Sequence, residues 1–197
     1  MSGDNEIKVW DPLVRIFHWS LVATFFIAWL SGDEWESVHV TAGYIIAGLV
    51  AFRLVWGFIG TPHARLSDFV YSPATVITYL KDLAAQRAKR YLGHNPAGGW
   101  MVVALLVSLV LTTLTGMMAH GTLTVAFSLI SPALAHGRKG HDDEDEGEEL
   151  FEETHEFFAH LTLLLVAVHV AGVLVSSLLH GENLVRAMIT GRKSREL

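Results

Sequence analysis

The sequence contains no cysteine, which excludes disulfides, iron–sulfur clusters, thiolate metal sites and covalent haem attachment through a C-x-x-C-H motif. Any metal or cofactor must therefore be held by histidine, methionine or carboxylate side chains. Charged residues are also few, at 17% of the chain, whereas hydrophobic residues make up 51% and the mean hydropathy is +0.39. This composition is too apolar for an ordinary soluble domain and indicates membrane spans.

Four apolar runs predict an all-α integral membrane protein, a bundle of four transmembrane helices in one domain over residues 1–197. Each run is near the roughly 20 residues that a helix needs to cross a bilayer, and a helix satisfies its own backbone polar groups in lipid. The predicted spans are residues 14–31, 38–60, 99–119 and 157–179. The apolar stretch at 120–135 contains Pro132 and is interpreted as an interfacial or re-entrant segment.

The first apolar run could alternatively be a secretory signal peptide, with AWLSG as a cleavage site. Its charged, tryptophan-containing leader and the histidine within it favour a retained span.

The distribution of charge between the spans predicts their orientation. Lysine and arginine are concentrated in the 61–97 connection and in the C-terminal tail, whereas the 32–37 link and the 136–153 connection are acidic. The positive-inside rule then places both termini in the cytoplasm. Residues 136–153 are predicted to form an acidic periplasmic loop, interpreted as solvated and flexible. The alternative is that its acidic run binds a cation or a basic protein.

Several histidines lie within the predicted spans or at their edges, where ionisable residues are rare and a functional role is the default hypothesis. With both termini inside, His39 and His155 lie near the outer surface, and His18 and His169 lie toward the inner one. Two stacked bis-histidine sites are what two b-type haems require, one near each aqueous compartment. Imidazole also binds zinc and copper, but two histidines alone make a poor zinc site.

The segment HEFFAH, residues 155–160, resembles the H-E-x-x-H motif of zinc proteases but is one residue too long. His160 follows His155 by five residues, so it points to another side of the helix. His169 follows His155 by fourteen residues, close to four turns, so these two share a face about 21 Å apart. The spacing therefore favours a histidine ladder over a protease.

Three further residues are predicted to serve the cofactor sites. Gly43 and Gly172 follow His39 and His169 by about one turn, where a small residue would let a flat macrocycle approach the backbone. Helix–helix packing is the alternative explanation for both glycines. Arg53 shares a face with His39 and could pair with a propionate of the inner haem, or instead extend to the cytoplasmic headgroups.

The segments that carry these residues resemble the bacterial cytochrome b561 family, which includes the b-type cytochrome subunits of nickel–iron hydrogenases. They are KVWDPLVRIFHWS, HVTAGY, LGHNPAGGWM and HEFFAHLTLLLVAVHVAGV, and the resemblance covers about residues 7–190. It implies a four-helix protein of the bacterial inner membrane with two non-covalent b haems that exchange electrons with quinone. The family's axial ligands fall on His18, His39, His155 and His169. The 136–153 connection belongs to no motif of the family.

These observations together predict transmembrane electron transfer through two bis-His b haems, between a redox protein and the quinone pool. The expected partners are membrane lipid, quinone and either a c-type cytochrome or a dehydrogenase or hydrogenase subunit; nucleic acid is not expected. One alternative is a self-sufficient superoxide:quinone oxidoreductase, against which the acidic 142–153 segment argues. Another is a haem-free membrane protein that binds divalent metal ions.

Quinone-site candidates lie mainly in the connections. His63 and Arg65 could line a pocket on the cytoplasmic side, with an interfacial turn as the alternative. His94 is a candidate for the edge of a haem or quinone. His120 and His160 are interpreted as satisfied bundle histidines or minor quinone-site candidates.

Overall fold

The computed structural model describes residues 6–32, 34–121 and 141–194, with the backbone alone over 141–148. Within these residues six α-helices and two short strands follow one another along the chain. They are β1 Glu6–Lys8, α1 Pro12–Ser31, α2 Glu36–Ile59, α3 Pro73–Ala84, α4 Pro96–Ala119, α5 His141–His180, α6 Leu184–Thr190 and β2 Arg192–Ser194. Two 3₁₀ turns, Pro62–Ala64 and Leu66–Phe69, connect α2 to α3.

Three of the helices begin at a capping side chain followed by proline. Asp11 accepts a hydrogen bond from the backbone N–H of Val14, Ser72 from that of Thr75, and Asn95 from that of Gly98. A short polar side chain satisfies an N–H that has no partner in the first turn, and proline at the first helical position loses no bond. The Asn95 cap explains why α4 begins three residues before the predicted span.

The four predicted membrane helices are confirmed. Helices α1, α2 and α4 and the 149–180 part of α5 are long and apolar enough to cross a membrane. Helices α1 and α2 pack against each other, as do α4 and α5, and α2 also contacts α4. The buried core between them is small, and it comprises Phe25, Ala28, Ala42, Ile46, Val50 and Leu109.

Large apolar side chains cover the outside of the bundle. Leu30, Phe58 and Leu178 are 78%, 76% and 84% exposed. Such exposure would be costly in water but is expected of side chains that face lipid tails, since no water surrounds them there. The described helices thus form an all-α membrane bundle.

The acidic connection differs from its prediction as a loop. Helix α5 begins at His141, so residues 141–153 of the predicted 136–153 acidic loop are helical. Glutamate is a good helix former, and acidic residues are stabilised near the positive N-terminal end of a helix dipole. Residues 122–140, which include most of the predicted interfacial segment at 120–135, lie outside the described residues.

The two ends of the chain meet beside the same end of the bundle. Strand β1 pairs antiparallel with β2, with Ile7 opposite Lys193. Gly191 precedes β2 with φ +79°, and a Cβ there would lie 2.7 Å from the carbonyl oxygen of Trp10. Glycine is therefore required at this turn by both conformation and space. An even number of spans brings β1 and β2 to the same end of the bundle, as their pairing requires.

Candidate functional site

His39 and His155 form a close pair at the end of the bundle opposite the chain termini. His39 lies in the first turn of α2, and His155 lies in α5 just inside the apolar part of that helix. Their ring centroids are 5.9 Å apart and the ring planes are nearly perpendicular, at 88°. First-row metals bind imidazole nitrogen at about 2 Å, so one iron between two rings needs a centroid separation of about 6 Å.

A hydrogen bond of the same kind orients each of these two rings, which are here called the outer pair. The Nδ1–H of His39 donates to the Ala28 carbonyl at 2.9 Å, and that of His155 donates to the Thr112 carbonyl at 2.8 Å. A carbonyl can only accept, so Nδ1 carries the proton in both rings. A neutral ring then has its lone pair on Nε2, which is the atom that binds metal. Both rings are thus prepared as ligands through Nε2.

A small cavity of about 100 Å³, partly open to the outside, lies beside the pair. His39, His155, Gly43 and Gly116 line it together with apolar side chains of α1 and α4. A Cβ added to Gly43 would meet nothing within 4 Å, so its missing side chain leaves open space toward the cavity. The apolar lining and the two imidazoles suit a flat, mostly apolar group held by both rings.

Two features of α4 that support this pair were missed in the sequence. The Thr112 carbonyl is the acceptor for His155, and a Cβ on Gly116 would lie 2.9 Å from both Cε1 and Nδ1 of that ring. The signal in the sequence is the run TTLTG, residues 112–116, which is rich in small and hydroxyl residues within an apolar span. It does not indicate which residue faces α5, because that depends on the rotation of both helices.

His18 and His169, on α1 and α5, are the residues predicted to form the second pair. Both rings are half-buried, and they are close enough to interact electrostatically. The Nδ1 atom of His18 is buried and has no hydrogen-bond partner among the described residues. Buried polar atoms without partners are rare in folded proteins, so a group that engages this imidazole would complete the site.

Arg53 is a buried cation at the inner end of α2. Its side chain is 4% exposed and lies over the ring of Phe69, with the guanidinium carbon 5.4 Å from the ring centroid. The Nη1 group has no hydrogen-bond partner in the described part of the chain, and Asp11 is the carboxylate that attracts it electrostatically. A buried arginine with an unused N–H group suits a carboxylate ligand.

Gly172 lies on α5 one turn after His169. A Cβ there would meet nothing within 4 Å, so described helices do not approach it closely. Helix packing, the alternative for Gly172 and for Gly43, therefore receives no support from the structure. Their role beside a cofactor stays a prediction.

His63 and His94 share a second cavity, of about 320 Å³, at the inner end of the bundle. The 3₁₀ turns and the chain before α4 form it, and Asp68, Tyr71 and Tyr91 also line it. The polar lining distinguishes it from the outer cavity. Arg65, predicted beside His63, donates instead to the Gly60 carbonyl at 3.0 Å.

The ring of His94 is enclosed by aromatic side chains. Trp10 and Phe69 both contact it edge-on with centroids 4.7 Å away, and its Nδ1 is buried without a partner among the described residues. Burial, and then the positive charges of Arg53 and Lys193, lower the pKa of His94 to about 3. The imidazole is therefore neutral at physiological pH.

The remaining histidines of the bundle lie outside both pairs. His160 donates through Nδ1 to the Glu156 carbonyl at 2.9 Å and contacts the Trp29 ring edge-on. His120 is on the edge of the outer cavity, with Nδ1 4.0 Å from a carboxylate oxygen of Glu36.

The donor sets favour haem over a bare metal ion. Among the described residues there is no group of three or more histidine, aspartate or glutamate side chains that could hold an ion. Two nitrogen ligands leave half of the four positions of zinc unfilled, whereas they complete the two axial positions of a haem.

Comparisons with known proteins agree with this chemistry. Residues 9–191 match the family described as prokaryotic cytochrome b561. The chain is 21% identical to a "Probable Ni/Fe-hydrogenase B-type cytochrome subunit" of Rhizobium leguminosarum bv. viciae, across 96% of this chain and 89% of the relative. A protein of the same name in Bradyrhizobium diazoefficiens is also 21% identical, across 97% of this chain and 87% of that protein.

No solved structure matches the chain. The family match covers all four spans and both histidine pairs, and membership implies b-type haem. The chain therefore belongs to the prokaryotic cytochrome b561 family, as a membrane cytochrome b that transfers electrons.

Proposed function

We propose that the protein carries electrons across a bacterial inner membrane through two b haems, between a redox protein and the quinone pool. The observation that carries this proposal is the outer pair, His39 and His155. Their rings are 5.9 Å apart beside an apolar cavity, and both Nδ1 protons are committed to backbone carbonyls. Each bound haem would supply a one-electron iron couple.

The inner pair, His18 and His169, would hold the second haem. Support comes from the unpartnered Nδ1 of His18 and from the fourteen-residue spacing of His155 and His169 along α5. That spacing separates the two ligands by roughly 21 Å of helical rise. Arg53, buried at the same inner end with a free N–H group, would bind a propionate there.

The histidine pairs decide which chemistry is available. Each pair of imidazoles would hold a haem iron without leaving a position for oxygen to bind. The backbone carbonyls of Ala28 and Thr112 hold their rings in one tautomer and raise the basicity of the ligand nitrogen. The residues therefore favour electron transfer over oxygen activation.

Quinone exchange is proposed at the second cavity, between His63 and His94. The two rings, with Asp68 and two tyrosines, supply polar groups on the wall of a cavity that lies at the inner end. Arg53 contacts Phe69, whose ring in turn touches His94, so the cavity is close to the proposed propionate partner Arg53. A redox protein would meet the outer end; the printed names of both relatives suggest a hydrogenase-type partner.

A redox difference spectrum of the purified protein tests the proposal. Dithionite reduction should give the Soret and α bands of a low-spin b cytochrome, at a stoichiometry of two haems per chain. Adding a quinone to the reduced protein in proteoliposomes should reoxidise it. A chain purified from haem-replete cells without these bands would contradict the proposal.

The quinone site has its own test. His63→Ala should slow reoxidation by quinone several-fold while the haem spectrum is unchanged, since His63 lies in the second cavity and outside both pairs. His160→Ala is the matched control, because its ring bonds to its own helix. Equal rates of reoxidation in the two variants would show that the quinone site lies elsewhere.

A further inference from the structure

We propose that Gly116 is a positioning residue for His155, and that through this ring it sets the reduction potential of the outer haem. The inference rests on the proposed function, since it concerns a ligand of that haem. It adds a residue on α4, a helix that supplies none of the four proposed ligands.

The first step is the contact between α4 and the ring. A Cβ built on Gly116 would lie 2.9 Å from Cε1 and 2.9 Å from Nδ1 of His155. These contacts are shorter than the distance at which a methyl group and a ring can coexist, so an alanine requires something to move. The α4 backbone is held by its helical hydrogen bonds, whereas the ring can rotate about its side-chain bonds. The ring is therefore the part displaced.

The second step is the hydrogen bond that this closeness permits. Nδ1 of His155 reaches the Thr112 carbonyl at 2.8 Å, one turn before Gly116 on the same helix. A ring pushed away from Gly116 leaves this carbonyl. The bond raises the basicity of the ligand nitrogen and so stabilises the oxidised iron. Its loss should raise the midpoint potential of the outer haem.

The third step is competition for the same acceptor. The Thr115 hydroxyl donates to the Leu111 carbonyl at 2.8 Å and also reaches the Thr112 carbonyl at 3.1 Å. The Thr112 oxygen is thus shared between Thr115 and His155. Removal of the hydroxyl in Thr115→Val leaves the oxygen to His155, which should lower the midpoint potential of the outer haem.

The two substitutions therefore predict shifts of opposite sign, which altered packing alone would not produce. The inner haem serves as an internal reference, because neither residue contacts His18 or His169 among the described contacts. Gly48→Ala is the matched glycine control: it lies within α2, and a Cβ there would meet nothing within 4 Å. Thr24→Val is the matched threonine control, since its hydroxyl bonds to Ser20 of its own helix.

The experiment is a potentiometric titration of the reconstituted holoprotein and its variants, with haem content measured in parallel. His39→Ala and His18→Ala identify which spectral component is outer and which is inner. The expected result for Gly116→Ala is a raised outer potential, or loss of the outer haem with the inner one retained. For Thr115→Val a lowered outer potential is expected, with both controls like the wild type.

A Gly116→Ala potential equal to that of Gly48→Ala would overturn the inference, as would equal shifts of both haems. If Gly116→Ala fails to fold, Thr115→Val decides: a lowered outer potential supports the inference, and an unchanged or raised one overturns it. Absence of haem from the wild-type protein would overturn the proposed function itself. Two bound haems whose midpoint potentials do not change in these variants would overturn only the inference about Gly116.

Discussion

Asp11 joins three elements at the inner end of the bundle. Its carboxylate caps α1 through the Val14 N–H at 2.9 Å and accepts hydrogen bonds from Thr61 at 2.6 Å and Trp56 at 3.4 Å. Burial alone would raise the pKa of Asp11, but these hydrogen bonds outweigh it and the pKa is lowered. The ionised carboxylate therefore stabilises the fold.

Replacing Asp11 with alanine should lower the free energy of unfolding by about 1–2 kcal/mol, the usual effect of losing a helix cap. Thermal unfolding in detergent measures it. Asp82→Ala is the control, since Asp82 pairs with an exposed Arg87 and exposed pairs contribute about 0–1 kcal/mol. Equal losses in the two variants would contradict the role assigned to Asp11.

Acid should remove the contribution of Asp11. Its folded pKa lies below the unfolded value of 3.8, so the stabilisation is present above that value and is lost as the pH falls through the folded pKa. The stability difference between the wild type and Asp11→Ala should therefore shrink in acid. A difference that grew below pH 4 would contradict the direction of this pKa shift.

The four intramembrane histidines could be identified from the sequence, because an ionisable side chain in an apolar run stands out without knowledge of the fold. Their pairing by depth followed from the direction of each span, and the structure brings His39 and His155 together. Gly116 and the Thr112 carbonyl could not be identified. A backbone acceptor leaves no mark in a sequence, and a glycine's contact depends on how two helices are rotated.

At the scale of elements, the terminal strand β2 is held by buried charges. Glu182 bonds to Arg90 and lies 3.6 Å from Nζ of Lys193, and the Lys193 and Glu182 side chains are 5% and 9% exposed. Arg90 also donates to the Ser194 carbonyl at 2.5 Å. The Glu182 carboxylate thus balances the positive charges of Arg90 and Lys193. Without it, both cations would lack a negative partner at a site from which water is largely excluded.

Glu182→Gln should therefore lower the free energy of unfolding by about 3 kcal/mol, because breaking a buried pair strands the remaining charge. Glu6→Gln is the matched control on the opposite strand: its 3.5 Å pair with Arg192 is exposed and should contribute less than about 1 kcal/mol. Thermal unfolding and protease cleavage after α6 report the loss. A Glu182 variant as stable as the Glu6 variant would show that this network does not hold β2.

The apolar runs located the four spans because long hydrophobic segments have few other stable arrangements. The structure differs from the interpretation of residues 141–153 as a loop, because α5 begins at His141. That interpretation considered only the charge of the acidic run, although its glutamates also favour helix. The β1–β2 pair was not predicted, because three-residue strands 184 residues apart carry no local pattern.

At the scale of the whole molecule, the two ends of the bundle differ in chemistry. The end opposite the termini holds the outer pair beside an apolar cavity, and the end near the termini holds the polar cavity of His63 and His94. Strands β1 and β2 pair at this second end.

The positive-inside rule predicts that this second end is cytoplasmic, since lysine and arginine concentrate in the 61–97 connection and the C-terminal tail. A reporter fused after residue 197 should be active if it functions in the cytoplasm and inactive if it requires export. A control fusion at residue 135 should give the reverse. Opposite results would invert the placement of both cavities.

The pairing of the histidines tests the central claim most directly. Haem content per chain should be measured, with optical and EPR spectra, in His18→Ala, His39→Ala, His155→Ala and His169→Ala. His39→Ala and His155→Ala should lose the same haem and retain the other, and His18→Ala and His169→Ala should lose that other one. Full haem content in His39→Ala and His169→Ala, or loss of the same haem in His18→Ala and His155→Ala, would contradict the account.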